Sequence, residues 1–178
     1  MATSSSDLNH SLSNEFVDSV IHILRAHPHA VYLPIGEGDL GWQKRKFESA
    51  GVSKRVGYAG KRKDLPGFLR IADIYLAEFP TVNTQGVLFA MAMGKPVVAT
   101  GSAEQSQAAS FIGTEPGSVI RDSAGYIERV SQLIREPVRR GKLGQSMRTR
   151  AEQHFSFEQT TRQIEQLCDQ LLQPVSGS

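Results

Sequence analysis

Cysteine is nearly absent from these 178 residues: the single one, Cys168, excludes an internal disulfide and the multi-cysteine metal sites. Histidine is sparse too, and His22, His27, His29 and His154 show no metal-ligand spacing, so no metal is expected. No apolar run approaches the length that crosses a bilayer, and the opening Met1-Ala2-Thr3-Ser4-Ser5-Ser6 lacks the apolar core of a secretory signal. Charge of one sign is lacking as well. A net charge of +2 is too small to argue for nucleic acid or an anionic membrane as the main partner. What remains, with 39% hydrophobic and 21% charged residues, is the composition of one ordinary α/β domain, expected in the cytoplasm.

The stretch from Ile71 to Ser102 organises the rest. A short apolar run, Ile74-Tyr75-Leu76-Ala77, has strand length and is followed by a loop of breakers, Phe79 to Gly86. Val87 to Met93 reads as a helix apolar on almost every side. Gly94 stops it, Pro96 bars its continuation, and Val97-Val98-Ala99-Thr100 reads as a second buried strand. This is a βαβ unit whose loop lies at the carboxyl end of a strand, where open α/β sheets bind ligands. Unpaired N–H groups at the helix start favour an anion there.

Before that unit, the Ser-rich residues 1–13 read as a disordered tail. Ser13 is a candidate N-cap for a helix carrying Phe16, Val17, Val20, Ile21 and Leu24, which Pro28 ends. Ala30 to Ile35 reads as a buried strand closed by Gly36-Glu37-Gly38-Asp39, Trp42 to Ala50 as a charged surface helix, Arg55 to Ala59 as a short strand ending at Gly60, and Pro66 to Ile71 as a short helix. After the unit come a loop at Gly101 to Ser106, a short helix at Gln105 to Phe111 and a strand at Ser118 to Arg121. Helices at Gly125–Arg135, Val138–His154 and Phe157–Leu172 follow, then a tail at residues 174–178. Strands alternating with helices predict a Rossmann-like, doubly wound parallel sheet with helices on both faces, over residues 14–173.

The segment Ala90-Met91-Ala92-Met93-Gly94-Lys95-Pro96-Val97-Val98-Ala99-Thr100 resembles the glutamate-led EAMAxGxPVVAT run of retaining group-1 enzymes, in the C-terminal half of GT-B glycosyltransferases. Phe79-Pro80-x-x-Asn83-Thr84-x-Gly86 is similar instead to the FPxxNTxG loop of bacterial adhesin N-glycosyltransferases, relatives of O-GlcNAc transferase. The resemblance implies a nucleotide-sugar site, with a UDP-sugar such as UDP-glucose, UDP-galactose or UDP-GlcNAc as first expectation, and no other cofactor. It implies glycosyl transfer by a larger chain, since the N-terminal GT-B domain has no counterpart here; the fragment alone is expected to transfer nothing. The family's half also begins with a strand and a basic "GR...KG" segment, for which the Ser-rich tail offers no match.

Two readings are open for Asn83, Thr84, Gln85 and Gly86. They form an ordinary N-cap, or a diphosphate cradle in which Gly86 leaves room for close approach of the ligand. Lys61, Arg62 and Lys63 are a solvated turn or, from the family position of the segment Val56 to Leu65 that contains Gly60, a contact to the nucleotide. Glu78 either binds ligand or faces solvent at a strand end. The acids that the family places across loop and helix fall on Thr81 and Phe89, and a phenylalanine accepts no hydrogen bond from ribose. That departure leaves a non-catalytic binding domain as the alternative, with a UDP-GlcNAc 2-epimerase-like domain as the rival among enzymes. No catalytic residue is named, because the general base of an inverting enzyme would come from the other half.

Overall fold

A computed structural model describes residues 1–101, 107–113 and 118–172. Five strands, β1 (Ala2–Ser5), β2 (Leu33–Gly36), β3 (Tyr75–Leu76), β4 (Val97–Thr100) and β5 (Val119–Ile120), form one sheet in the order β2-β1-β3-β4-β5. Every pairing is parallel. The chain starts at β1, moves outward to β2, then crosses back past β1 to β3 and continues the other way. Right-handed crossovers in opposite directions put helices on opposite faces. One layer joins α2 (Asn14–Ala26) to α7 (Ser123–Arg135). The other joins α5 (Thr84–Ala92) to α4 (Leu65–Arg70), α6 (Gln107–Ile112) and α8 (Pro137–Phe155). The expected Rossmann-like, doubly wound parallel sheet is present.

The expectation of a disordered tail over residues 1–13 is corrected. Ala2–Ser5 is an inner strand of the sheet, and α1 (Leu8–Ser11) follows it, capped by Asp7, whose Oδ1 accepts from the backbone N–H of Asn9 at 3.0 Å. A Ser-rich strand survives in the core because its hydroxyls find buried partners. Thr3 Oγ1 donates to Glu78 Oε2 at 3.0 Å, and Ser4 Oγ lies 3.0 Å from Tyr75 Oη. Ala2–Ser5 is thus part of the domain, and a strand stands at the front as the family resemblance calls for. The expected tail 174–178 and the loop at 102–106 lie outside the described residues.

The expected strand at Arg55 to Ala59 is corrected in part. It runs parallel to the outer edge of β2, but only isolated bridges form, Tyr32 with Val56 and Ile35 with Gly60. Tyr32 and Gly36 donate outward to the carbonyls of Arg55 and Gly60, whereas Pro34, between them, has no N–H to give. Gly60 turns the chain there at φ +68.

α5 is held at its far end by a Schellman motif. Gly94 sits at φ +67, its N–H bonds the Met91 carbonyl, and the Lys95 N–H bonds that of Ala90. The remaining helices, α3 (Gly41–Ser49) and α9 (Phe157–Leu172), match their expected segments within a residue.

Candidate functional site

The reversal of strand order lies between β1 and β3, so the loops leaving their carboxyl ends diverge and open a crevice. Beneath it, the loop after β3 is anchored from three sides. The Phe79 ring meets Phe16 and Tyr126 edge-on, each at 5.3 Å between centroids. Ser13 Oγ donates to the Phe79 carbonyl at 2.6 Å while accepting from the Phe16 N–H at 3.2 Å. Glu78 Oε1 accepts from the backbone N–H of Asn83 at 2.9 Å.

Asn83 stands at the N-cap position of α5 with an extended backbone, but its side chain caps nothing. Its Nδ2 turns instead to the Ser4 carbonyl at 2.8 Å, tying the helix start to β1. The cap reading is thus corrected for the side chain. The backbone N–H groups of Thr84, Gln85 and Gly86 have no acceptor among the described residues; the first helical bond is Val87 N–H to the Asn83 carbonyl. By contrast α2, α4 and α7 are capped by Ser13, Asp64 and Asp122.

Two cavities flank Asn83. The first, about 210 Å³, is walled by Ser4, Ser5 and Ser6 at the end of β1 and by Ile35, Gly36 and Glu37 at the end of β2. Lys61 and Arg62 close it from the turn before α4, Leu65 from the start of α4, and Asn83 and Gln85 from the start of α5. The second, about 250 Å³, carries no charged side chain. It is lined by Ser5, Ser6, Ser11, Thr81, Val82, Asn83 and Thr84. The Lys61 ammonium lies 3.1 Å from Glu37 Oε2, both largely exposed, and the Arg62 guanidinium lies 4.7 Å over the Phe68 ring. A larger, apolar cavity of about 570 Å³ opens at the opposite edge, between Met1, Val31, Ile71, Ile74 and Arg140. It sits at the amino ends of the strands, so the carboxyl-edge pair is the candidate site despite its smaller volume.

The structure therefore brings Asn83, Gln85, Lys61 and Arg62 to one cavity and Thr84 to the next. Three expected contacts, Gly60, Gly86 and Glu78, line neither cavity. Gly86 is buried, and a Cβ there would stand 2.2 Å from Tyr75 Oη and 2.3 Å from Ser4 Oγ, so its missing side chain makes room for the protein's own hydroxyls rather than for a ligand. Glu78 does not face solvent: it is 3% exposed, both oxygens are engaged within the protein, and it lines neither cavity. Burial pushes its pKa up to about 7, against the hydrogen bonds that favour its charged form. Phe89, expected where the family holds ribose, packs half-buried against the core and lines neither cavity. The serines of β1 were missed because a polar run gave no strand signal. Among the described residues no group of three or more His, Cys, Asp or Glu could hold a metal ion, and no helix is long and apolar enough to cross a membrane.

An all-parallel, doubly wound sheet with its crevice at the carboxyl edge is the architecture of one half of a GT-B glycosyltransferase. The family model "Glycosyl transferases group 1" matches residues 8–136, and the chain belongs to that family. Among solved structures, the pneumococcal O-GlcNAc transferase GtfA in complex with UDP and GlcNAc is similar at 15% identity and a TM-score of 0.76, over 96% of this chain and 36% of that one. Anabaena HepE in complex with UDP and glucose is similar at 18% identity and a TM-score of 0.77, over 95% of this chain and 48% of that one. The C-terminal domain of the group 1 family protein LpcC from Francisella tularensis is similar at 21% identity and a TM-score of 0.72, over 88% of this chain and 86% of that one. The chain thus spans less than half of GtfA and of HepE, and most of the isolated LpcC domain. No curated protein sequence matches it.

Proposed function

We propose that this domain binds a nucleotide-sugar, UDP-linked, at the paired carboxyl-edge cavities, and serves as the donor half of a glycosyltransferase whose N-terminal half completes the cleft. One observation carries the reading. The N–H groups of Thr84 and Gln85, at the positive end of α5, have no acceptor among the described residues, and these two residues line the two cavities, the first of which Lys61 and Arg62 also wall. Two open donors, a helix dipole and two cations suit the oxygens of a diphosphate. The UDP bound by GtfA and HepE, which share the fold, supports the nucleotide. In the intact enzyme these groups would steady the leaving diphosphate while an acceptor is glycosylated. Neither a metal nor a further cofactor is required by this arrangement, and the reading places the protein in the cytoplasm.

One feature favours a second reading, a domain that binds without catalysis. Among the described residues lining the two cavities the only carboxylate is Glu37, and Lys61 already pairs with it.

The test is titration of the chain with UDP-glucose, followed by calorimetry and amide NMR shifts. The amides of Thr84 to Val87 and of Lys61 to Lys63 are expected to move together, and Lys61→Ala to weaken binding by about tenfold, as loss of one charge-assisted contact does. Saturating ligand that leaves Thr84 to Val87 unmoved overturns the assignment. Joining the domain to its N-terminal half separates the two readings: sugar transfer supports the enzyme, and tight binding without turnover the second.

A further inference from the structure

Glu78 is a buried carboxyl group directly behind the candidate site, and the binding geometry does not use it. Its Oε1 accepts from the backbone N–H of Asn83, the residue that walls both cavities, and its Oε2 accepts from Thr3 Oγ1 on β1. Among the described residues no lysine, arginine or histidine pairs with it. The titratable groups facing it are phenols: Tyr75 on β3, Tyr126 on α7 and Tyr32 at the entry to β2. Burial pushes all three up, so they stay neutral and offset none of its charge.

We propose that Glu78 is the positioning residue of the anion site, holding the backbone of Asn83 in place, and that its ionisation state sets how strongly an anion is held at the start of α5. This rests on the donor-site reading above. Both protonation states keep the geometry. Ionised, the carboxylate accepts from Asn83 and Thr3; protonated, it still accepts from Asn83 while its own O–H donates to Thr3 Oγ1. What changes is a full negative charge, buried and unpaired, on the far side of Asn83 from the ligand. Unit charges about 8 Å apart at an effective dielectric of about 20 repel enough to shift an equilibrium roughly thirtyfold. Because burial raises the Glu78 pKa to about 7, that charge appears across the neutral range, and a bound anion favours the protonated form.

Glu78→Gln separates position from charge. Its carboxamide oxygen accepts from Asn83, its Nε2 donates to Thr3, and nothing titrates. The experiment measures the affinity of wild type and variant for UDP-glucose, whose diphosphate does not titrate in this range, from about pH 6 to about pH 8.5 at constant ionic strength. The wild type is expected to lose about tenfold or more in affinity as pH rises through about 7, and the variant to stay flat at the wild type's low-pH value. His10, exposed on the neighbouring α1 and hydrogen-bonded to Asp7, is common to both proteins and cancels from the comparison. Parallel pH profiles, or a variant weakened by one constant factor at every pH, overturn the proposal and leave the donor-site reading standing. No binding to either protein at any pH overturns the donor-site reading and this inference with it.

Discussion

Adding one methyl group at Gly86 sets two effects of opposite sign against each other. Gly86 lies in the first turn of α5, and alanine there gains at most about 1 kcal/mol from helix propensity and lost chain entropy. Against that, the new Cβ would stand 2.2 Å from Tyr75 Oη, 2.3 Å from Ser4 Oγ and 3.0 Å from Tyr75 Cζ. These atoms are buried and bonded to each other, so they cannot swing into water. Overpacking costs about 1–3 kcal/mol, and parting the Tyr75 hydroxyl from Ser4 adds about 1–3 kcal/mol for a buried group left unpaired. Steric cost wins, and Gly86→Ala is expected to lose about 1–5 kcal/mol net. Gly141 is the control: it is exposed on α8, and a Cβ there would meet nothing within 4 Å. Gly141→Ala is therefore expected to gain about 0.5–1 kcal/mol. Urea denaturation reads both as shifts in midpoint at unchanged slope. Adding Tyr75→Phe removes the hydroxyl that the methyl group meets, so the double variant should recover part of the loss. A Gly86→Ala protein as stable as wild type would refute the close-packed account of this edge.

Ser13→Ala removes both the cap of α2 and the anchor of the Phe79 carbonyl; a loss of about 1–2 kcal/mol is expected by denaturant titration, with faster amide exchange in the loop after β3. The Glu78 carboxyl gives a pH signature of stability. Its folded pKa of about 7 lies above the ordinary 4.5, so the cost of burying it is absent below about pH 4.5, grows up to about 7 and is full above. Wild type should therefore lose up to about 3 kcal/mol against Glu78→Gln between about pH 4 and about pH 8, read as diverging urea midpoints; midpoints that track each other would show that the group titrates normally.

Local pattern was enough for the βαβ unit from Tyr75 to Thr100. An apolar run of strand length, a helix apolar all round, a glycine that takes φ +67 and a proline beyond it each act on their own neighbours in the chain, so their order can be read before any fold exists. The same holds for α2, α7, α8 and α9, whose apolar faces repeat at helical spacing. The family resemblance rested on that same unit. β1 lay beyond such reading, because Thr3 and Ser4 are tolerable in a core only when Glu78 and Tyr75, more than seventy residues away, supply their hydrogen bonds. Gly86 reads from the chain as room for a ligand and proves to be room for Tyr75. Glu78 reads as a ligand contact or a solvent-facing strand end and proves buried under the loop it holds. In each case the deciding contacts include one between β1 and the unit that begins at β3, made by parallel pairing of those two strands. That pairing also carries Lys61 and Arg62 to the wall facing Asn83 and Gln85, so the site exists only in the assembled sheet.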